Sequence, residues 1–298
     1  MLNTAHILCL MPPAPSALRQ GLHLARRVGA ALHVMPTPLP RGPSGSATGR
    51  DEIHSLVERL VPDASEDPPL EITEAPPGSP SEVLQYVADA NIDLVVTAPP
   101  PDQESAPPLA TDVSRVLTEQ LACPLFIVEP GTDPATVQDI LVPTDLSDHA
   151  LRAFKHAVAL ARLYDATVHV LHVVESLPYV ALTPTDRLSL GPTPLSEHRG
   201  RRRLRAFLRR GQVSEVPVQS HLVYGDPADQ IGRFADENAV DLLVLSSHGA
   251  GSRPHRALGR VAKSVLGEVA GSLFLFHATG SSLLSASSQL SPDDASPS

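Results

Sequence analysis

The sequence predicts an α/β protein of two tandem doubly wound domains, each a mostly parallel five-stranded sheet flanked by helices. Three observations carry that expectation. Short apolar runs alternate with segments of helical period, a pattern that implies parallel strands joined by helical crossovers. The alternation occurs twice, and the two copies match. Hydrophobic residues make up 42% of the 298 residues but aromatics only 3%, with no Trp. The cores must therefore be built from Leu, Val, Ala and Ile, which suits parallel sheets covered on both faces.

The duplication is explicit. LARRVGAALHV at 24–34 matches LARLYDATVHV at 160–170. GSPSEVLQYVADANIDLVV from Gly78 matches GDPADQIGRFADENAVDLLV from Gly225, with one residue inserted. ACPLFIVEP from Ala122 matches AGSLFLFHA from Ala270. The order is the same in both halves, so a whole domain is repeated rather than a short solenoid unit. The boundary falls in EPGTDPATVQ at 129–138, giving domains at 1–130 and 137–277. The Ser-rich tail at 278–298 reads as disordered.

The second half gives the clearer elements. DILVPTD (139–145) is a strand, HALRAFKHAVALARLY (149–164) a helix, and ATVHVLHVV (166–174) a second strand. An insert rich in Pro, Thr and Arg follows at 175–211, and within it RGRRRLRAFLRRG (199–211) has the pattern of a basic amphipathic helix. PVQSHLVYG (217–225) is a third strand. PADQIGRFADENA (227–239) is a helix with Pro in its first turn and Asp226 as its cap. DLLVLS (241–246) is a fourth strand. The loop SSHGAGSRPHRALGR (246–260) leads to a helix at 259–270 and a fifth strand, SLFLF (272–276).

The net charge of −10 and a pI near 5.7 argue against general binding to nucleic acid or anionic membrane, although local basic clusters can still hold anions. Cys9 and Cys123 lie in apolar runs and read as buried free thiols, with no disulfide framework or metal set. The N-terminus MLNTAHILCLMPPAPS has no basic leader, and no run is long enough to span a bilayer, so a cytoplasmic protein is expected.

Chemistry collects at the carboxyl ends of the second-half strands, where doubly wound sheets bind ligands. Strand one ends in Pro143-Thr144-Asp145, strand two in His172-Val173-Val174, strand three in Val223-Tyr224-Gly225-Asp226, and strand four in the glycine-bearing loop. Asp145 can accept hydrogen bonds from an amino group or hydroxyl. The backbone of Val173 offers one donor and one acceptor to an adenine edge. The loop offers N–H groups at a helix start, a natural phosphate site. Arg253, His255, Arg256 and Lys263 either add positive potential there or form a solvated basic face. His169 and His172 are either metal ligands or strand histidines with backbone partners.

These residues carry a resemblance to a known family. ILVPTDLSDHALRAFKHAVALA, VHVLHVV, VYGDPADQIGRFADENAVDLLVLSSHG and the spaced Gly259 together resemble a universal stress protein (UspA) domain over almost all of 137–277. The first half resembles the same domain less closely, through the repeats. In ATP-binding members an Asp after strand one holds adenine or ribose and a Val after strand two reads adenine. The phosphates lie in a loop of pattern Gly-x2-Gly-x9-Gly-[Ser/Thr]. The resemblance places Asp145 and Val173 on the first two positions. It aligns the loop as Ser246-Ser247-His248-Gly249, nine residues, then Gly259-Arg260. Ser246 stands where the pattern has its first glycine, and Arg260 where it has a hydroxyl.

The nucleotide site implied by the resemblance consists of Pro143, Thr144, Asp145, Val173, Ser246, His248, Gly249, Gly259, Arg260 and Val261. ATP is the cofactor implied, with magnesium left open. In the first half strand one ends in Leu10-Met11-Pro12-Pro13 without an Asp. The loop TAPPPDQESAPPLATD (97–112) there has no glycine, and its Asp102, Glu104 and Asp112 would repel phosphate. No nucleotide is expected in that half, which instead serves as a structural partner for the second. Pairing of the two domains is expected, with a homodimer and an unknown protein partner left open, and with neither nucleic acid nor membrane as partner.

Two readings of function stand. One is an ATP-binding regulatory module of the stress response, with its site in the second domain only. The other is a structural or interaction stress protein in which both sites are degenerate, Arg260 being a solvated relic. No general base is fixed opposite a phosphate, and metal-holding carboxylates are not evident beyond Asp145 and Asp226, so an enzyme is not expected.

Overall fold

The computed structural model describes residues 4–11, 15–36, 55–56, 59–60, 71–76, 78–99, 112–175, 194–211, 215–249, 258–268, 271–277 and 283. In the first half these contain β1 (His6–Met11), α1 (Ser16–Val28), β2 (Ala31–Pro36), β3 (Ile72–Glu74), α2 (Pro80–Asp89), β4 (Leu94–Thr97), α3 (Asp112–Gln120) and β5 (Leu125–Ile127). A short 3-10 turn, Pro134–Thr136, follows. The second half contains β6 (Asp139–Pro143), α4 (Asp148–Tyr164), β7 (Thr167–Val174), α5 (Pro194–Arg210), β8 (Val218–Tyr224), α6 (Pro227–Glu237), β9 (Leu242–Ser246), α7 (Arg260–Glu268) and β10 (Ser272–Phe276).

The α/β architecture is the expected one, with a larger sheet than either half suggested. The ten strands join in the order β3-β2-β1-β4-β5-β10-β9-β6-β7-β8. Every pairing is parallel except β5 with β10, which is antiparallel with Phe126 opposite Phe274. Those two rings meet edge to face, 5.9 Å apart. Each half therefore has the same strand order, and the halves are joined edge to edge through their last strands. Other contacts cross the junction. The Gln20 side-chain amide donates to the Tyr164 hydroxyl, and the His23 ring stacks on Tyr164 at 5.5 Å.

Matched sequence has produced matched local structure. Gly29 and Asp165 occupy the same place in the first repeat, and both end their helices in the left-handed region at φ 70° and 59°. Ser79 and Asp226 both cap a helix that begins with Pro. Asp93 Oδ2 accepts from the backbone N–H groups of Ala5 and His6 at 2.7 and 3.1 Å. Asp241 Oδ2 does the same for Gln138 and Asp139 at 2.8 and 2.9 Å. In each half a carboxylate at the start of the fourth strand thus anchors the entry to the first.

The core has two layers, one on each face of the sheet. Alternation along β6 shows the division: Ile140 and Val142 pack with α1, α4 and α5, whereas Leu141 packs with α2, α3, α6 and α7. Both layers run through both halves. Cys9 and Cys123 are buried free thiols, and burial pushes Cys123 up to about 12. Among the described residues no helix is long and apolar enough to cross a membrane.

Some boundaries differ from the sequence reading. β6 stops at Pro143, so Thr144 and Asp145 lie in the turn beyond it. The basic helix begins at Pro194, five residues before the arginine run, because Pro is well placed to open a helix. The tail at 278–298 lies outside the described residues apart from buried Leu283, as do Pro12, Pro13, residues 100–111, Arg253, His255 and Arg256.

Candidate functional site

The chain runs from β6 outward through β7 and β8, then returns to the other side of β6 as β9 and β10. The reversal lies between β6 and β9. There a cavity of about 800 Å³ opens beyond the strand ends, walled by the start of α4, the middle of α5, and the starts of α6 and α7. Pro143, Thr144, Asp145, Val173, Ser246, His248, Gly249, Gly259, Arg260 and Val261 all line it.

The turn after β6 is held from within. Thr144 is buried, and its hydroxyl accepts from the Leu146 N–H at 2.9 Å while Leu146 adopts a left-handed φ of 67°. Asp145 Oδ1 accepts from the Ser147 N–H at 3.0 Å, and Ser147 in turn caps α4 through Ala150. These bonds leave the other carboxylate oxygen directed toward the loop. A Cβ built on Gly249 would lie 2.5 Å from Asp145 Oδ2. The carboxylate and the loop backbone thus approach closely because residue 249 has no side chain.

Val173 presents main-chain groups to the cavity. The Leu171 carbonyl accepts from Thr144 at the end of β6, and the Val174 carbonyl accepts from Gly225 on the β8 side. Strand backbone groups alternate sides with period two. The N–H and C=O of Val173 therefore point to the β6 side, one step past that strand's end. His172 has a backbone partner: its Nδ1 donates to the Thr144 carbonyl at 2.8 Å, and burial holds its pKa below the usual value. His169 lies toward the start of the sheet, bonded to Asp139 at 2.8 Å with His221 at 3.3 Å. Among the described residues no cluster of three or more metal-ligating side chains occurs.

The loop is closed at its base. Ser247 donates its N–H to the Phe276 carbonyl, and its own carbonyl accepts from the Gly259 N–H at 2.8 Å. Gly259 therefore spends its N–H on the loop. Among the described residues, the first turn of α7 offers donors to an anion at Arg260, Val261 and Ala262, which have no intrahelical carbonyl to bond. Ser246 turns its hydroxyl back on the His248 N–H at 3.4 Å, and His248 Nδ1 pairs with the Ser247 hydroxyl at 2.8 Å. The His248 ring lies 6.3 Å from that of His149. Burial first, and the neighbouring His248 second, lower the pKa of His149.

Arg260 is engaged by two carboxylates at the cavity rim. Its Nη2 meets Glu175 Oε1 at 3.0 Å, and its Nη1 lies 3.9 Å from Asp226 Oδ2. All three side chains are about half exposed or more, so each pair contributes roughly 0–1 kcal/mol. Glu175, Arg203 and Ile231 also line the cavity and were not among the residues expected there. Arg203 is the one most open to detection, as a side chain of the amphipathic helix on the flank of its buried stripe. Glu175 carries no motif, and only its place two residues beyond Val173 hints at a role.

The universal stress protein family model matches residues 136–277. A universal stress protein of Methanocaldococcus jannaschii is 32% identical over 127 residues, which cover 43% of this chain and 74% of the relative. A solved Pseudomonas aeruginosa UCBPP-PA14 structure described as a universal stress protein superposes with a TM-score of 0.68 at 17% identity, over 92% of this chain and 93% of that one. A universal stress protein from Archaeoglobus fulgidus DSM 4304 gives 0.58 at 17% identity, over 92% and 98%. At such identity the two structures share the fold, and they do so across both halves.

Proposed function

Because the chain belongs to the universal stress protein family, we propose that its second half binds an adenine nucleotide, with ATP as the ligand, and that it works as a regulatory stress-response module rather than a catalyst. The observation that carries this reading is the convergence of Asp145, the backbone of Val173 and the start of α7 on one cavity large enough for a nucleotide. The base would lie against Val173, Leu245 and Ile231, the ribose beside Asp145 over Gly249, and the phosphates at the first turn of α7.

The division of labour follows the duplication. Residues 1–130 form a tandem partner domain without a nucleotide, and 137–277 carry the site. Binding would place phosphate charge at the first turn of α7, and so change what the chain offers a protein partner in the cytoplasm.

The test is calorimetry with ATP up to millimolar concentration on the full chain. Saturable binding that Asp145→Ala abolishes is expected. No binding heat in the wild type would sink the reading, and phosphate release above an Asp145→Ala control would overturn its non-catalytic part.

One observation favours a second reading, a protein that acts through contacts alone. Arg260 is tied to Glu175 and Asp226, and Gly259 has spent its N–H on Ser247, so neither of these two groups is directed to a phosphate. Nucleotide recovered from protein purified under native conditions would exclude this alternative.

A further inference from the structure

Helix α5 has two faces with different work. Leu204 and Phe207 are buried, and the Phe207 ring lies 5.7 Å from that of Phe154. Gly211 closes the helix against the same Phe154 ring, where a Cβ would lie 2.3 Å from a ring carbon. This packing fixes which side meets solvent. Arg203 reaches the cavity described above, whereas His198, Arg201, Arg202, Arg205 and Arg209 line a separate concavity of about 270 Å³.

Among the described residues the charge there is compensated only at Arg201. Arg201 pairs with Glu197 at 2.9 Å, but among the described residues no acidic side chain partners Arg202, Arg205 or Arg209. Their three- and four-residue spacing stacks like charges on one helix face, which disfavours the helix. The sequence nevertheless places seven arginines between 199 and 210 in a chain of net charge −10. Arg201, Arg202, Arg205 and Arg209 share the lining of one hollow.

We infer that this hollow is an anion site for a short run of linked phosphates. Guanidinium forks match phosphate oxygens, and arginine stays charged at any physiological pH. From 198 to 209 the helix rises about 16 Å, room for a few phosphates. The residues lining the hollow are four arginines and His198, with no Phe, Tyr or Trp ring and no apolar side chain to enter a bilayer. Salt screens the field of the arginines beyond about 8 Å, so phosphates reaching past the hollow gain nothing from it and lie on an acidic chain, which favours a compact anion. Inorganic polyphosphate and the tail of a nucleotide share this chemistry. This site does not depend on the neighbouring cavity binding ATP.

The experiment is calorimetric titration of the full chain with tripolyphosphate at low salt. One saturable site is expected, weakening with salt as phosphate contacts do. Combined Arg202→Ala, Arg205→Ala and Arg209→Ala should reduce affinity by about tenfold or more. Arg233→Ala on α6, outside both cavities, should leave it unchanged. The substituted arginines are exposed, and an unchanged circular dichroism melt verifies that the fold survives. ATP is titrated in parallel into the Asp145→Ala chain. Residual ATP binding lost with the triple variant supports the site with a nucleotide source, and binding of tripolyphosphate alone supports it with an inorganic one. Absence of a saturable tripolyphosphate site overturns the inference. So does equal loss in Arg233→Ala, no loss in the triple variant, or binding confined to duplex DNA or anionic vesicles.

Discussion

Gly249 and Asp145 are fitted to each other: a single methyl group on the glycine would stand 2.5 Å from the carboxylate oxygen. The loop can therefore lie over the turn after β6 only while residue 249 lacks a side chain. Gly249→Ala should push the Asp145 carboxylate out of place and weaken ATP binding as Asp145→Ala does, by about 1.5–3 kcal/mol if one charge-assisted hydrogen bond is lost. Calorimetry measures the loss. A melt within a few degrees of wild type would verify that the damage is local.

Arg260 is held by weak exposed pairs, so releasing it should help rather than harm. Glu175→Gln should raise ATP affinity up to about fivefold, the equivalent of one exposed ion pair. Adenosine, which has no phosphate for Arg260 to reach, should bind as before. The ratio of the two affinities is the measurement. A ratio unchanged from wild type would mean that Arg260 does not turn inward.

The junction between the halves should behave as core. Phe274 is fully buried and meets Phe126 across the β5–β10 pair. Phe274→Ala should cost about 3–5 kcal/mol, in the range of other buried aromatic truncations. Because both core layers run through both halves, differential scanning calorimetry should show one unfolding transition in the wild type. Two separated transitions in the variant would mark uncoupling of the halves.

His156 predicts how stability depends on pH. Burial lowers its pKa to about 4, against about 6.5 when unfolded, and its ring lies 4.4 Å from Phe276. Between those values the unfolded chain binds the proton and the folded chain does not. Stability should therefore be fully present above about pH 6.5 and fall as pH drops toward 4, by up to about 3 kcal/mol from this residue. His172 and His277 are shifted the same way by burial and steepen the trend. Urea midpoints across that range test it, and His156→Phe should flatten the slope.

Much of this architecture was legible because it is written locally. Asp165, Asp226 and the alternating apolar runs specify caps and strands within a few residues of themselves, and the repeats fix their order. The site positions were legible for the same reason, since strand ends and glycine spacing are local features. What escaped depended on partners distant in sequence. SLFLF and PLFIV both read as buried strands, but nothing in either names the other as its neighbour. The direction of Arg260 depends on a carboxylate 85 residues away. The loss of the Gly259 N–H depends on how the loop closes on Ser247, which spacing does not encode.

The antiparallel meeting of β5 and β10 has a consequence for descent. An assembly of two identical chains is symmetric by construction, and a change in one pocket is a change in both. Here both halves are encoded in one reading frame, so each has been free to drift alone. In the half beginning at β1 no acid follows the first strand, where the sequence reads Pro12-Pro13, while the other half has Asp145. One molecule thus carries one set of pocket residues at a fixed ratio to its scaffold, and a ligand held there would titrate as a single independent site.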